Sequence, residues 1–271
     1  MDNAIHAWFG YSIRMDERLK MIRQAGFDSV LLWWSDEFNS IEDAKEKQPE
    51  LVQKNGLKVE NVHLPFDHIN SMWQDSCIGD AYEAYLQQLI CQCSDFGMPT
   101  AVLHLTNGPT PPPLCSRGLD RFKRLVACAE RRQIAIAFEN LRRVDYLDAI
   151  FENVSSPAMG VCYDSGHTAC FTPERDILKE YNDKIIAVHL HDNDGLSDLH
   201  QLPFDGVIDW GTMRNDLMNL PGDLAWAIEV VNTGSEKYKD LTAEEFLAAA
   251  FTRLQRLRSN RICLPNDAKT I

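Results

Sequence analysis

Residues 134–140 read Ile134-Ala135-Ile136-Ala137-Phe138-Glu139-Asn140: five apolar side chains in succession, then a carboxylate and an amide. An unbroken apolar run of this length suits a strand buried on both faces, as a parallel sheet requires. Working outward, comparable strands are expected near Ala4–Gly10, Ser29–Ser35, Lys58–Pro65, Thr100–Thr106, Met159–Asp164, Ile185–Asp192 and Leu224–Val230, with Ile134–Asn140 fifth of eight. The segments between them carry helical spacing. Tyr82, Tyr85, Leu86, Leu89, Ile90, Cys93 and Phe96 recur at three- and four-residue steps, and Gly97 stands where a C-terminal cap belongs. Leu119, Phe122, Leu125, Val126 and Ala129 repeat the pattern, with Arg121, Lys123, Arg124, Arg131 and Arg132 read as its solvated face. Eight strands alternating with helices predict an α/β fold, a closed (β/α)₈ barrel forming one domain over residues 1–271. An open doubly wound sheet would place a Gly-rich turn after the first strand. Phe9-Gly10-Tyr11-Ser12 stands there instead.

Composition narrows the function. A hydrophobic share of 45% and a charged share of 25% are ordinary for a globular protein. No apolar stretch is long enough to span a membrane, and the N-terminus lacks the pattern of a secretory signal, so a cytoplasmic location is the default expectation. The net charge of −13 disfavours a nucleic-acid partner, because phosphate binding draws its affinity from a basic surface. The eight cysteines contain no C-x-x-C pair and several sit in apolar periodic segments, so they read as reduced core residues. The oligomeric state stays open, a homo-oligomer included.

Groups able to bind metal fall at the ends of six consecutive strand candidates. His63 ends the third, His104 lies at the fourth, Glu139 closes the fifth, and Asp164 ends the sixth with His167 just beyond. The seventh gives His189, His191 and Asp192, its following loop Asp198 and His200, and Glu229 closes the eighth. In a parallel barrel these ends open on one face, where imidazole and carboxylate together suit a divalent metal such as Zn²⁺ or Mn²⁺. His191 shares the inward parity of His189 and is read as a support for the ligands. Trp8, Trp34 and Phe66 end or follow early strands and are candidates to stack on a substrate, with core packing as the alternative. The loop Asn107 to Gly118, with Pro109 and Pro111-Pro112-Pro113, would overhang the same face as a stiff rim or a substrate-covering wall.

Three stretches carry a family likeness: His189-Leu190-His191-Asp192-Asn193-Asp194-Gly195 with Asp198-Leu199-His200; Gly206-Val207-Ile208-Asp209-Trp210; and the opening Leu19-Lys20-Met21-Ile22-Arg23-Gln24-Ala25-Gly26-Phe27-Asp28. On these the chain resembles the xylose-isomerase-like TIM barrel superfamily, which joins sugar isomerases and epimerases with the endonuclease IV family of abasic-site nucleases. The resemblance implies two ligand sets. Ketose 3-epimerases hold one metal with a tetrad matching Glu139, Asp164, His189 and Glu229. The nucleases hold three zinc ions, with matches at His63, His104, Glu139, Asp164, His167, His189, Asp198, His200 and Glu229. One to three ions are therefore implied. A turn that often reads Pro-Gly-x-Gly in the superfamily is Pro203-Phe204-Asp205-Gly206 here, and the nucleases' DNA-penetrating loops are not recognised. The favoured expectation is a metal-dependent sugar or sugar-phosphate isomerase or epimerase acting on a small polyhydroxylated substrate. Glu139 and Glu229 would exchange protons through an enediolate, with His63, His104, His167 and His200 around the substrate. The alternatives are a trinuclear-zinc phosphodiesterase acting on abasic DNA and a non-catalytic sugar-binding barrel.

Overall fold

The computed structural model describes residues 2–35 and 44–259. Eight strands are present: β1 (Asn3–His6), β2 (Ser29–Trp33), β3 (Lys58–His63), β4 (Thr100–Leu103), β5 (Ala135–Glu139), β6 (Met159–Asp164), β7 (Ile185–His189) and β8 (Trp226–Ile228). All pairings are parallel, in the order β7-β6-β5-β4-β3-β2-β1-β8. The ring closes through a bridge between Leu190 and Ile228, in which the Leu190 amide donates to Ala227 and the Glu229 amide to Leu190. The expected (β/α)₈ barrel is the observed fold.

The helices are α1 (Met15–Ala25), α2 (Gln48–Lys54), α3 (Cys77–Asp95), α4 (Ser116–Arg132), α5 (Val144–Asn153), α6 (Ser165–Phe171), α7 (Ile177–Glu180), α8 (Trp210–Met218) and α9 (Ala243–Arg258). Side chains along each strand alternate between the helical layer and the barrel interior. Val30, Leu32, Ile136, Phe138, Val161 and Tyr163 point outward into the main core shared with the helices. The interior holds small groups instead: Val102, Ala137, Cys162 and Ala187 pack together, as do Ala4, Leu31 and Ala227. α9, anchored by the reciprocal Thr242–Glu245 capping box, buries Phe246, Leu247, Ala250 and Leu254.

One expectation is corrected here. Arg121 belongs to no solvated face: it is fully buried, donating to Asp80 and to the carbonyls of Ser71, Met72, Gln74 and Ser76. It ties α4 to the turn before α3, its charge compensated by a carboxylate and its N–H groups by main-chain oxygens. Lys123, Arg124 and Arg131 are exposed, as expected. The seven described cysteines are free thiols, and Cys263 lies outside the described residues.

Candidate metal centre

Two residues beyond the small interior layer, every strand delivers one large polar or aromatic group: His6, Trp33, His63, His104, Glu139, Asp164, His189 and Glu229. Glu139 is buried at the middle of this ring. His63 Nε2 lies 3.1 Å from its Oε2 and His104 Nε2 3.0 Å from the same oxygen. His167 Nδ1 is 3.3 Å from Oε1 and His189 Nδ1 3.6 Å. Three groups have ligand atoms within 4.8 Å of one another: His63, His104 and Glu139; Glu139, Asp164, His189 and Glu229; and His191, Asp198 and His200. Glu139 belongs to two of them.

The tautomers give the clearest chemical information. A carbonyl oxygen can only accept, so an imidazole nitrogen beside one must carry the proton. His63 Nδ1 lies 2.8 Å from the Leu64 carbonyl, His167 Nδ1 3.1 Å from that of Asn140, and His200 Nδ1 2.9 Å from that of Glu229. Each ring then turns its other nitrogen to a carboxylate: His63 to Glu139, His167 to Asp198 at 3.2 Å, His200 to Asp198 at 3.4 Å. A bare nitrogen facing a carboxylate oxygen requires a second proton or a cation between them. His189 makes the same point differently. Its Nε2 is 3.4 Å from Asn61 Oδ1, while its buried Nδ1 lies 2.8 Å from Glu229 Oε2 without hydrogen-bond alignment. Nitrogen and oxygen converge on a common point rather than on each other, and the donor set fits a divalent metal.

Charge states follow from this crowding. Burial raises the Glu139 carboxyl, but His104, His167 and His189 more than reverse it and hold it well below the usual carboxylate range. Burial likewise opposes ionisation of Glu229, and His189 leads the groups that overcome it. Burial lowers His200, but Asp198 and Glu229 push it up to about 9. A divalent ion would replace these extra ring protons, since metal ligation needs neutral imidazole and ionised carboxylate.

The local sequence explains the placement. Asp164 caps α6, accepting from the His167 amide, and so fixes both residues at one helix N-terminus. Gly166 is required there: a Cβ would lie 1.9 Å from His191 Cε1. The buried Asp192 carboxylate accepts from the amides of Asn193, Phe204 and Ile208 and from the Trp210 indole at 2.7–3.1 Å. It gathers the loop that carries Asp198 and His200. His200 (φ 51°) and Phe204 (φ 74°) take left-handed backbone within it, which gives the Pro203–Gly206 turn its shape.

The expected site residues divide accordingly. Glu139, Asp164, His189, Glu229, His63, His104, His167, Asp198 and His200 meet at the mouth. His191, expected as a support, is itself grouped with Asp198 and His200; its Nε2 is 3.1 Å from Asp164. His6, absent from the expected set, has Nδ1 3.9 Å from Glu229 Oε1, and burial chiefly lowers its pKa to about 4. Its inward parity on β1 was the available signal. Phe66 stacks on His104 at 4.0 Å, and the half-buried Trp8 lies 5.3 Å from the Arg18 guanidinium. Trp34 is a correction: its fully buried indole faces α3, donating to Gln92 and meeting Phe96 edge-on. Its neighbour Trp33 occupies the mouth, stacked on His63 at 5.1 Å and edge-on to Phe66.

A cavity of about 210 Å³ opens beside the cluster, lined by Phe66, His104, His167, Asp198, Phe171 and Arg142 among others. Asn107, Gly108 and Pro109 form one wall, so the start of the proline-rich loop borders the site. A larger hollow of about 600 Å³ beside Pro65, His68 and Tyr82 contains none of the candidate ligands.

Among solved structures, an L-ribulose 3-epimerase matches with a TM-score of 0.76 at 16% identity, over 95% of this chain and 94% of its own. A D-psicose 3-epimerase crystallised in the presence of D-fructose matches with a TM-score of 0.72 at 16% identity, over 96% and 100%. At these identities the likeness is one of fold. An uncharacterised protein, y4fM of Sinorhizobium fredii (strain NBRC 101917 / NGR234), is 30% identical over 239 residues, 75% of this chain and 76% of its own length. The family model described as xylose isomerase-like TIM barrel matches residues 19–248. The chain belongs to the xylose isomerase-like TIM barrel family.

Proposed function

We propose that the chain is a divalent-metal-dependent isomerase or epimerase of a small polyhydroxylated substrate. The observation that carries this reading is the convergence of Glu139, Asp164, His189 and Glu229, whose ligand atoms lie within 4.8 Å of one another, beside a cavity of about 210 Å³. A metal held by these four would polarise a substrate carbonyl and its neighbouring hydroxyl. Glu229 is the more open carboxylate, its side chain 16% exposed against 2% for Glu139. It takes the proton from the carbon next to the carbonyl; the C–H electron pair moves into the new C=C bond as the carbonyl π pair goes to oxygen. Glu139 would return a proton to the enediolate, the proton reaching it from a protonated neighbouring imidazole such as His104, 3.0 Å from its Oε2, while Glu229 releases the proton it took to solvent and the imidazole is reprotonated from solvent. Zn²⁺ and Mn²⁺ both suit the donor set.

A second reading is favoured by one specific feature. Glu139 is shared between two ligand groups, and a third surrounds Asp198. A centre of two or three ions, with Glu139 locked as a ligand, suits attack of an activated water on a phosphate ester.

Elemental analysis of protein purified without chelator tests both. One ion per chain, with solvent deuterium entering a ketose or ketose phosphate next to its carbonyl, supports the isomerase. Three ions, no exchange across the panel and cleavage of a phosphodiester, including an abasic duplex, would replace it with the hydrolase. Absence of metal uptake would end both.

A further inference from the structure

We propose that Arg142 is the group that selects an anionic substrate, one carrying a phosphate or carboxylate alongside its hydroxyls. This rests on the cavity beside the metal cluster being the substrate site. Arg142 lies three residues beyond Glu139, in the loop between β5 and α5, and lines that cavity with His104, His167 and Asp198. Its surroundings set it apart from neighbouring arginines. Arg143 is paired with Asp145, and Arg175 with Asp148 and Glu180. Arg142 is exposed, and among the described residues no carboxylate pairs with it. In a chain of net charge −13, acids are plentiful enough to have satisfied it.

Arg142 is nevertheless held. Its guanidinium carbon sits 3.5 Å from the Phe171 ring centroid, and Phe171 in turn stacks on His167 at 5.4 Å and 21°. The aromatic face holds the guanidinium by a cation–π contact, and as Arg142 lines the cavity its N–H donors are at hand there. Those donors match the paired oxygens of a phosphate or carboxylate, which a neutral sugar lacks. Because the pile ends on a candidate ligand, the anion's position is referenced to the reacting centre. Binding energy at this remote group can then position the reacting carbons.

The test is titration calorimetry of the metal-loaded protein with glycerol 3-phosphate, glycerate and glycerol. Wild type, Arg142→Gln, Arg142→Lys and Arg142→Met, the last keeping an apolar cover over Phe171, are compared at equal metal content. The anionic probes should weaken by about tenfold or more in the Gln and Met variants and by less in the Lys variant, with glycerol unchanged. The stronger of the two anionic probes identifies the group. Equal binding by wild type and Arg142→Gln, or no detectable binding of either anion by wild type, overturns the assignment. Metal uptake is read separately: a protein that takes up no ion refutes the catalytic reading, while the anion comparison is still scored on it.

Discussion

Two successive layers inside the barrel differ more than any other neighbouring parts of the molecule. The lower consists of Ala4, Leu31, Val102, Ala137, Cys162, Ala187 and Ala227, apolar and mostly small, with Asn61 of β3 as its one polar member. The upper, two residues further along the same strands, is made of imidazoles, carboxylates and Trp33. The backbone is the same; only the end of the strand has changed. Strand number and stagger set the width of the ring, and the small side chains below fill it; above them eight strand ends stand close enough for one carboxylate to touch four histidines. The floor fills the ring and the upper layer supplies chemistry.

Substitutions on each side of that divide should separate the two contributions. The largest expected effect belongs to neither layer: Trp34→Ala, on the outer face, should cost about 3–5 kcal/mol in denaturant unfolding while leaving metal stoichiometry intact. Trp33→Ala, one residue away, should show the reverse pattern, a small stability change with impaired metal or substrate binding. In the upper layer, Glu139→Gln should lower metal affinity by roughly 100-fold or more, because it breaks two ligand groups at once, while circular dichroism stays native. In the floor, Ala137→Leu should overpack against Val102, Cys162 and Ala187 and cost about 1–3 kcal/mol. If Ala137→Leu instead abolished metal binding with no loss of stability, the division between floor and site would be wrong. Asp192→Asn should cost about 1–3 kcal/mol and speed hydrogen exchange at the Phe204 and Ile208 amides.

The smallest effect is a control in the helical layer, away from the cavity beside the cluster. Burial opposes ionisation of Asp148, but hydrogen bonds from Arg175 and Tyr181 more than compensate, holding its carboxyl below the ordinary 3.8. A depressed folded value means this stabilisation is complete above 3.8 and is lost as pH falls through the folded value. Arg175→Ala should therefore flatten the acid limb of the stability profile and leave metal binding near neutral pH unchanged.

The barrel was legible because its strands are apolar on both faces, a signal that survives without knowledge of neighbours. Strand ends were less so. The expected β1 ran to Gly10 and the expected β7 to Asp192, whereas the strands end at His6 and His189, with one further bridge at Leu190. Past the site the strands diverge, and backbone groups turn to loops, as when Asp192 pairs with Gln201. That these imidazoles and carboxylates would meet was legible from their positions at successive strand ends. The choice between Trp33 and Trp34 was not, since two adjacent indoles read alike until a register is set, and the β2–β3 register shifts at Val30–Leu31, where β3 carries the extra residue Glu60. Arg121 was misread because its acceptors, from Ser71 to Asp80, lie some forty to fifty residues earlier in the chain.

The single carboxylate of Asp192 grips both ends of the span that delivers Asp198 and His200. A span pinned in this way cannot swing aside as a door. The cavity opens beside that span, with Asp198 on one wall and Phe66, Gly108, Pro109 and Arg142 among the others. A change at Asp192 is thus expected to displace Asp198 and His200 together, and neither alone.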